Sequence, residues 1–201
     1  MRLEILLYFM FITFMNMSNG NYYHQNSTYM SEQESTVRIE HLKQHLQLND
    51  HPEGGYFREV YRSAEEVNKQ SLPERFPADR NYATSIYYLL PGHAFSSFHR
   101  IKSDEIWYHH EGCSLLIPVI SPDGFLSVYR LGKAFEQGDL PQVVVPSGHW
   151  FGAVPEDKES YVLAGCNVAP GFDFEDFEMG RRDLLLKEFP AHADWIERLT
   201  Y

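Results

Sequence analysis

The residue types best suited to chemistry are concentrated in Phe98–Gly112, FHRIKSDEIWYHHEG, where three histidines sit with adjacent acids and a tryptophan. Histidine changes protonation near neutral pH, and a carboxylate beside it can orient it or act as its opposite proton partner. Period-two alternation puts His99 and Ile101 on one face of a first strand. After a turn at Lys102–Ser103, Glu105, Trp107 and His109 share a face of the next. A hairpin joining these faces brings His99 toward Glu105, so these two are the candidate acid–base residues.

The elements that must hold this pair read as strands. Phe57–Arg62 alternates, with Phe57, Glu59 and Tyr61 against Arg58, Val60 and Arg62, and Arg58 or Arg62 would suit an anionic substrate. Asn81–Leu90 sets Ser85, Tyr87 and Leu89 against Ile86, Tyr88 and Leu90, and Tyr87, Tyr108 or Tyr129 could supply a phenol. Further strands are expected at 114–120, 125–131, 138–145 and 161–168, with Gly and Pro between them, a pattern that predicts a sandwich or barrel. Gly54 and Gly55 permit a turn or a close backbone approach to a ligand. Residues 64–80, broken by Pro73 and Pro77, read as a loop. Helical signal is confined to the ends: a helix capped at Ser35 or Thr36 that carries Ile39, Leu42 and Leu46, then Asp183–Phe189 and His192–Leu199.

A chain of 201 residues suits one domain, expected over residues 35–201. Its formal net charge of -11 disfavours nucleic acid, which is gripped by neutralising phosphates with Lys and Arg. The two cysteines, Cys113 and Cys166, are too far apart for a redox motif and read as free thiols. Residues 1–30 form an apolar leader or a non-structural extension. The run Leu3–Met17 is short for a membrane span but has the length of a signal-peptide core. Both Asn-x-Ser/Thr sites, at Asn16 and Asn26, fall in this segment. A cytoplasmic location is favoured, with secretion if residues 1–20 are a true signal, and membrane contact is expected only if the apolar segment is retained.

Four blocks, HPEGGYFREVYRS, FHRIKSDEIWYHHEG, VVVPSGHWFGA and GCNVAPGFDFEDFEMG, resemble the cupin superfamily, in particular the small cupins formerly grouped as a domain of unknown function (DUF985-like, Cupin_5-like). The resemblance spans about residues 37–189. It implies an all-β double-stranded β-helix, a closed jelly-roll barrel with short flanking helices, a pocket between strands, and a homodimer. His99, Glu105 and Gly112 match the first cupin motif and Gly92 takes its leading position with one extra intervening residue, but Ile101 replaces its second histidine. Pro146 and Gly148 match the second motif, but Phe151 stands where a histidine is expected.

These departures set the alternatives for function. No cofactor is assigned with His99 and Glu105 alone, and a divalent transition metal would need a shell completed by His109 and His149. A metal-dependent dioxygenase or isomerase is one reading. A metal-independent isomerase or epimerase acting on a small polar or carbohydrate-like compound is the preferred one. In it His99 and Glu105 are catalytic, while Arg58, Tyr87, Trp107, His109, Trp150 and Phe151 contact substrate. A non-catalytic ligand-binding or structural cupin is the third. The acidic run Asp173–Glu178, interleaved with Phe174 and Phe177, is expected at a packed edge or subunit contact.

Overall fold

The computed structural model describes residues 32–201. The leader, both glycosylation patterns and Met30 lie outside the described residues. Residues Ile39–Tyr201 form one compact unit that holds every strand found among the described residues. A helix over 32–46, α1, carries Ile39, Leu42 and Leu46, which join Leu89 and Leu163 in an apolar cluster.

The strands follow in chain order: β1 (Asn49–Asp50), β2 (Tyr56–Arg62), β3 (Glu66–Val67), β4 (Arg80–Asn81), β5 (Thr84–Pro91), β6 (Ser96–Arg100) and β7 (Asp104–Gly112). Then come β8 (Leu115–Ile120), β9 (Leu126–Leu131), β10 (Gln142–Val145), β11 (Trp150–Pro155), β12 (Tyr161–Ala169) and β13 (Glu178–Met179), with α2 (Arg182–Glu188) and α3 (Ala193–Arg198) last. One sheet has the order β1-β2-β5-β12-β7-β10, a second β13-β6-β11-β8-β9, and β3 pairs with β4 alone.

The main core draws Tyr88, Trp107, Val143 and Cys166 from the first sheet and Ile117, Leu131, Phe151 and Ala153 from the second. It therefore lies between the two sheets. Fully burying a large apolar side chain contributes about 1.5–3 kcal/mol, so this shared layer is what holds the sheets face to face. β12 is flanked by β5 and β7 and is almost wholly buried, which explains its continuous apolar run YVLAGCNVA. Leu185, Phe189, Ile196 and Leu199 cover a second cluster with Phe98, Ile120 and Trp150, so the C-terminal helices dock outside the second sheet.

The expectation of a closed β-barrel is corrected here. All three sheets are open, with β1 and β10 as edges of the first and β13 and β9 as edges of the second. Strands β9 and β10 are where closure would occur, and among the described residues no ladder joins them; an isolated parallel bridge, Leu131↔Leu140, ties β9 to the segment before β10. Two backbone bonds, Gly132 to Leu140 and Leu140 to Arg130, are made before the chain follows β7 instead. A short 3-10 turn at Phe135–Gln137 is capped by Gly138, and the strand expected from Gly138 begins only at Gln142.

Candidate functional site

Between the sheets, at one end, is a cavity of about 180 Å³. Its first wall comes from β2, β5, β7 and β12. Residues directly opposite in a ladder share a face, and the registers Phe57↔Tyr88, Glu59↔Ile86 and Arg62↔Thr84 bring all six inward. Simple alternation would set Arg62 opposite to Glu59. A β-bulge between Glu59 and Tyr61 adds one residue and turns Arg62 to the cavity face. On the other flank, Glu105↔Val168 and Trp107↔Cys166 also face in. His99 reaches the cavity from β6, and Phe172, Asp173, Phe174 and Phe177 from the segment after β12.

The turn before β2 supplies His51 and Glu53. Gly54 makes this turn possible: its φ is +116°, and an added Cβ would lie 2.1 Å from the Phe95 carbonyl oxygen. The Tyr88 hydroxyl donates to the Gly54 carbonyl at 2.6 Å, anchoring the turn to β5. Glu53 is 5% exposed and accepts from Ser96 Oγ at 2.9 Å. Its second oxygen lies 3.2 Å from His99 Nε2 and 3.6 Å from His51 Nδ1.

The protonation pattern follows from these partners. His99 Nδ1 is 2.8 Å from the Ser97 carbonyl, which can only accept, so Nδ1 carries hydrogen and donates. His99 Nε2 then faces Glu53 as an acceptor or, in the imidazolium, as a second donor. Burial lowers the His99 pKa to about 4, and burial raises that of Glu53, so both shifts favour the neutral form of the pair. His51 Nδ1 accepts the Glu53 backbone N–H at 3.3 Å, and burial lowers its pKa as well. The ring contacts Phe57 and Tyr88 edge-on.

Glu105 is 7% exposed. Burial, then repulsion from Glu53, pushes its pKa to about 8, against a small opposing effect of the Cys166 thiol that donates to it. Two carboxyls from different parts of the chain thus face one enclosed space, both biased toward the protonated form.

Of the residues expected in the site, His99, Glu105 and Trp107 line this cavity, and the others do not. Arg58 pairs across from Tyr87, on the opposite face, and donates to Gln47. Tyr87 packs with the cluster under α1 and stands edge-on to His110. Phe151 lies behind His99, with ring centroids 4.1 Å apart, and braces it from the core. Trp150 points to the other side of β11, beneath the C-terminal helices, with Arg100 over its ring. Residues 172–178 cover the cavity: Asp176 is buried and bound by Arg80, while Phe174 is exposed.

The residues reasoning from sequence missed are His51, Glu53, Tyr88 and Cys166, while of the two arginines considered for an anion it is Arg62 that lines the cavity. The HPEGG turn was legible as a close backbone approach, yet nothing local shows that Glu53 reaches β6. Tyr88 shares its parity with Ile86 and Leu90, and that apolar face was the available signal for the inward side.

The donors for a metal centre do not converge. Ile101 and Phe151 stand at two of the motif positions. His109 lies outside the cavity lining and faces the Cys113 carbonyl through Nε2 at 3.0 Å, while His149 Nδ1 faces the Ser147 carbonyl at 3.2 Å. Among the described residues, no group of three or more His, Cys, Asp or Glu side chains could hold a metal ion. The residues present do not fit the metal that many proteins of this architecture carry.

Facing β-sheets with a polar cavity between them define a protein of the cupin class. The chain belongs to the Cupin superfamily (DUF985), whose Cupin_5 model matches residues 40–180. An uncharacterized protein of Saccharomyces cerevisiae, YML079W, is 33% identical over 147 residues, covering 69% of this chain and 73% of the yeast protein. A hypothetical protein from Leishmania major aligns with a TM-score of 0.72 and 34% identity, over 81% of this chain and 98% of its own. The crystal structure of protein SO0799 from Shewanella oneidensis gives a TM-score of 0.72 and 38% identity, over 80% and 95%. Among the described residues no helix is long and apolar enough to cross a membrane.

Proposed function

We propose that this cupin binds a small polar, carbohydrate-like molecule in the Glu53–His99–Glu105 cavity and isomerises or epimerises it by proton transfer. The observation that supports this reading is the pair of buried carboxyls facing one cavity, one of them 3.2 Å from His99 Nε2. A pKa of about 8 makes Glu105 a strong base in its ionised fraction near neutral pH. It takes a proton from the carbon beside a carbonyl, while the Glu53–His99 pair gives its proton to the carbonyl oxygen, producing an enediol. In isomerisation Glu105 returns its proton to the former carbonyl carbon and the neighbouring hydroxyl, now becoming the carbonyl, gives its proton to the pair. In epimerisation the proton returns to the opposite face of the same carbon and the enol hydroxyl gives its proton back to the pair. Composition is unchanged and no redox partner is needed.

The test is carbon-bound proton exchange. Aldoses, ketoses and their derivatives are incubated with the protein in D₂O and followed by ¹H NMR. Wild type should replace a C–H by C–D, and Glu105→Gln and Glu53→Gln should each slow exchange by about 100-fold or more while remaining folded. Exchange that persists in both variants would sink the assignment. Saturable binding with no exchange across the panel would instead identify a non-catalytic ligand-binding pocket.

A further inference from the structure

The charges around the cavity are unbalanced, and the imbalance says what kind of molecule it takes. Its acidic lining residues are Glu53, Glu59, Glu105 and Asp173, and Arg62 is the one arginine or lysine among the described lining residues. Arg62 is already engaged. Its Nε and Nη2 donate to the two oxygens of Glu59 at 3.0 and 2.7 Å, and Nη1 donates to Asn81 Oδ1 at 2.8 Å and to the Phe172 carbonyl at 3.1 Å. This arginine neutralises Glu59 and ties the cover to β2, so it has little left for an anionic ligand. His51 and His99 are committed through Nδ1, one accepting a backbone N–H and the other donating to a carbonyl.

Glu105 is the group left over. It is more than nine-tenths buried and lines the cavity, and among the described residues its side-chain hydrogen-bond partner is the weak thiol donor of Cys166. Beside it on β7, Trp107 also lines the cavity and keeps a buried indole N–H without an acceptor among the described residues. The remaining walls are aromatic: Phe57, Tyr88, Phe172 and Phe177. An anion here would meet two carboxyls and no available cation. An ammonium group would draw Glu105 into its ionised form, meeting a carboxylate that lacks a strong donor, with ring faces around it that favour a cation.

We propose that the natural ligand is a small hydroxylated amine, such as an aminated sugar derivative, whose ammonium group is held by Glu105 and whose oxygen accepts from Trp107. This rests on the reading of the cavity as the binding site and specifies its substrate class: one Glu105 oxygen pairs with the ammonium and the other is left for the carbon-bound proton.

The experiment uses two matched probe sets that differ in charge: D-glucosamine, D-glucose and D-glucuronate, then ethanolamine, ethylene glycol and glycolate. Each is titrated into the full-length protein by calorimetry, with saturation-transfer NMR as a second readout. In at least one set the amine should bind at least tenfold tighter than both its neutral and anionic counterparts. Glu105→Gln should weaken the amine at least tenfold and the neutral compound less than threefold. A preference for the neutral or anionic probe, or an amine preference that survives Glu105→Gln, overturns this inference and leaves the binding site standing. Binding of none of the six at millimolar concentration overturns both.

Discussion

Glu53 and His99 meet with Oε2 3.2 Å from Nε2, while the Ser97 carbonyl holds the other ring nitrogen at 2.8 Å. The carbonyl fixes the tautomer, so one proton serves two buried groups and titrates as a property of the pair. The turn carrying Glu53 and the strand carrying His99 are positioned by different sheets. The relationship exists only when both sheets are packed.

Stability should fall as pH rises from about neutral to 8. Glu105 keeps its proton in the folded chain up to about pH 8 but loses it near 4.5 when unfolded, so the folded state binds more protons between those values. Its stabilising effect is therefore full at low pH and is lost through that window. Burial acts on Glu53 in the same direction. His99 has the opposite sign: its folded pKa of about 4 lies below the ordinary 6.5, so its contribution grows with pH between them. The two offset each other from about 4.5 to 6.5, leaving a net loss of about 2 kcal/mol between 6.5 and 8. Thermal denaturation at half-unit pH steps should show the decline in wild type and a much shallower one in Glu105→Gln.

The cavity cover depends on a buried ion pair. Arg80 Nε and Nη2 donate to the two oxygens of Asp176 at 2.6 and 2.8 Å, and Asp176 sits in the 3-10 turn Phe174–Asp176. Arg80→Met would leave Asp176 buried beside Lys102 at 3.5 Å. The expected cost is about 3 kcal/mol by urea denaturation, with faster hydrogen exchange concentrated in residues 170–178. Unchanged exchange there would show that the aromatic packing of Phe172, Phe174 and Phe177 holds the cover unaided.

Two glycines with positive φ should respond differently to alanine. At Gly138, with φ +86°, an added Cβ meets nothing within 4 Å, so only the backbone preference is lost, about 1 kcal/mol. At Gly54 the added carbon would also collide with the Phe95 carbonyl oxygen. Gly54→Ala should cost more than Gly138→Ala in denaturant titrations and should displace Glu53, weakening every probe that binds the cavity.

The sequence by itself determined the family, the strand-rich character, and the placement of His99, Glu105 and Trp107 on inward faces. Alternation and motif spacing are local properties, so a linear reading reaches them. Only the tertiary structure decided the rest. The bulge near Val60 turned Arg62 to the face of Glu59, which breaks the alternation from which Arg58 was chosen. The packing of β5 on β2 and β12 chose Tyr88 over Tyr87 as the inward phenol. The missing ladder between β9 and β10 left open the sheets that the family resemblance closed. Glu53 was brought to His99 by a glycine turn whose direction depends on Phe95 and Tyr88, neither adjacent in the chain. Register shifts, sheet edges and long-range polar contacts are decided by which segments compete to pack, and no short stretch of sequence contains its competitor.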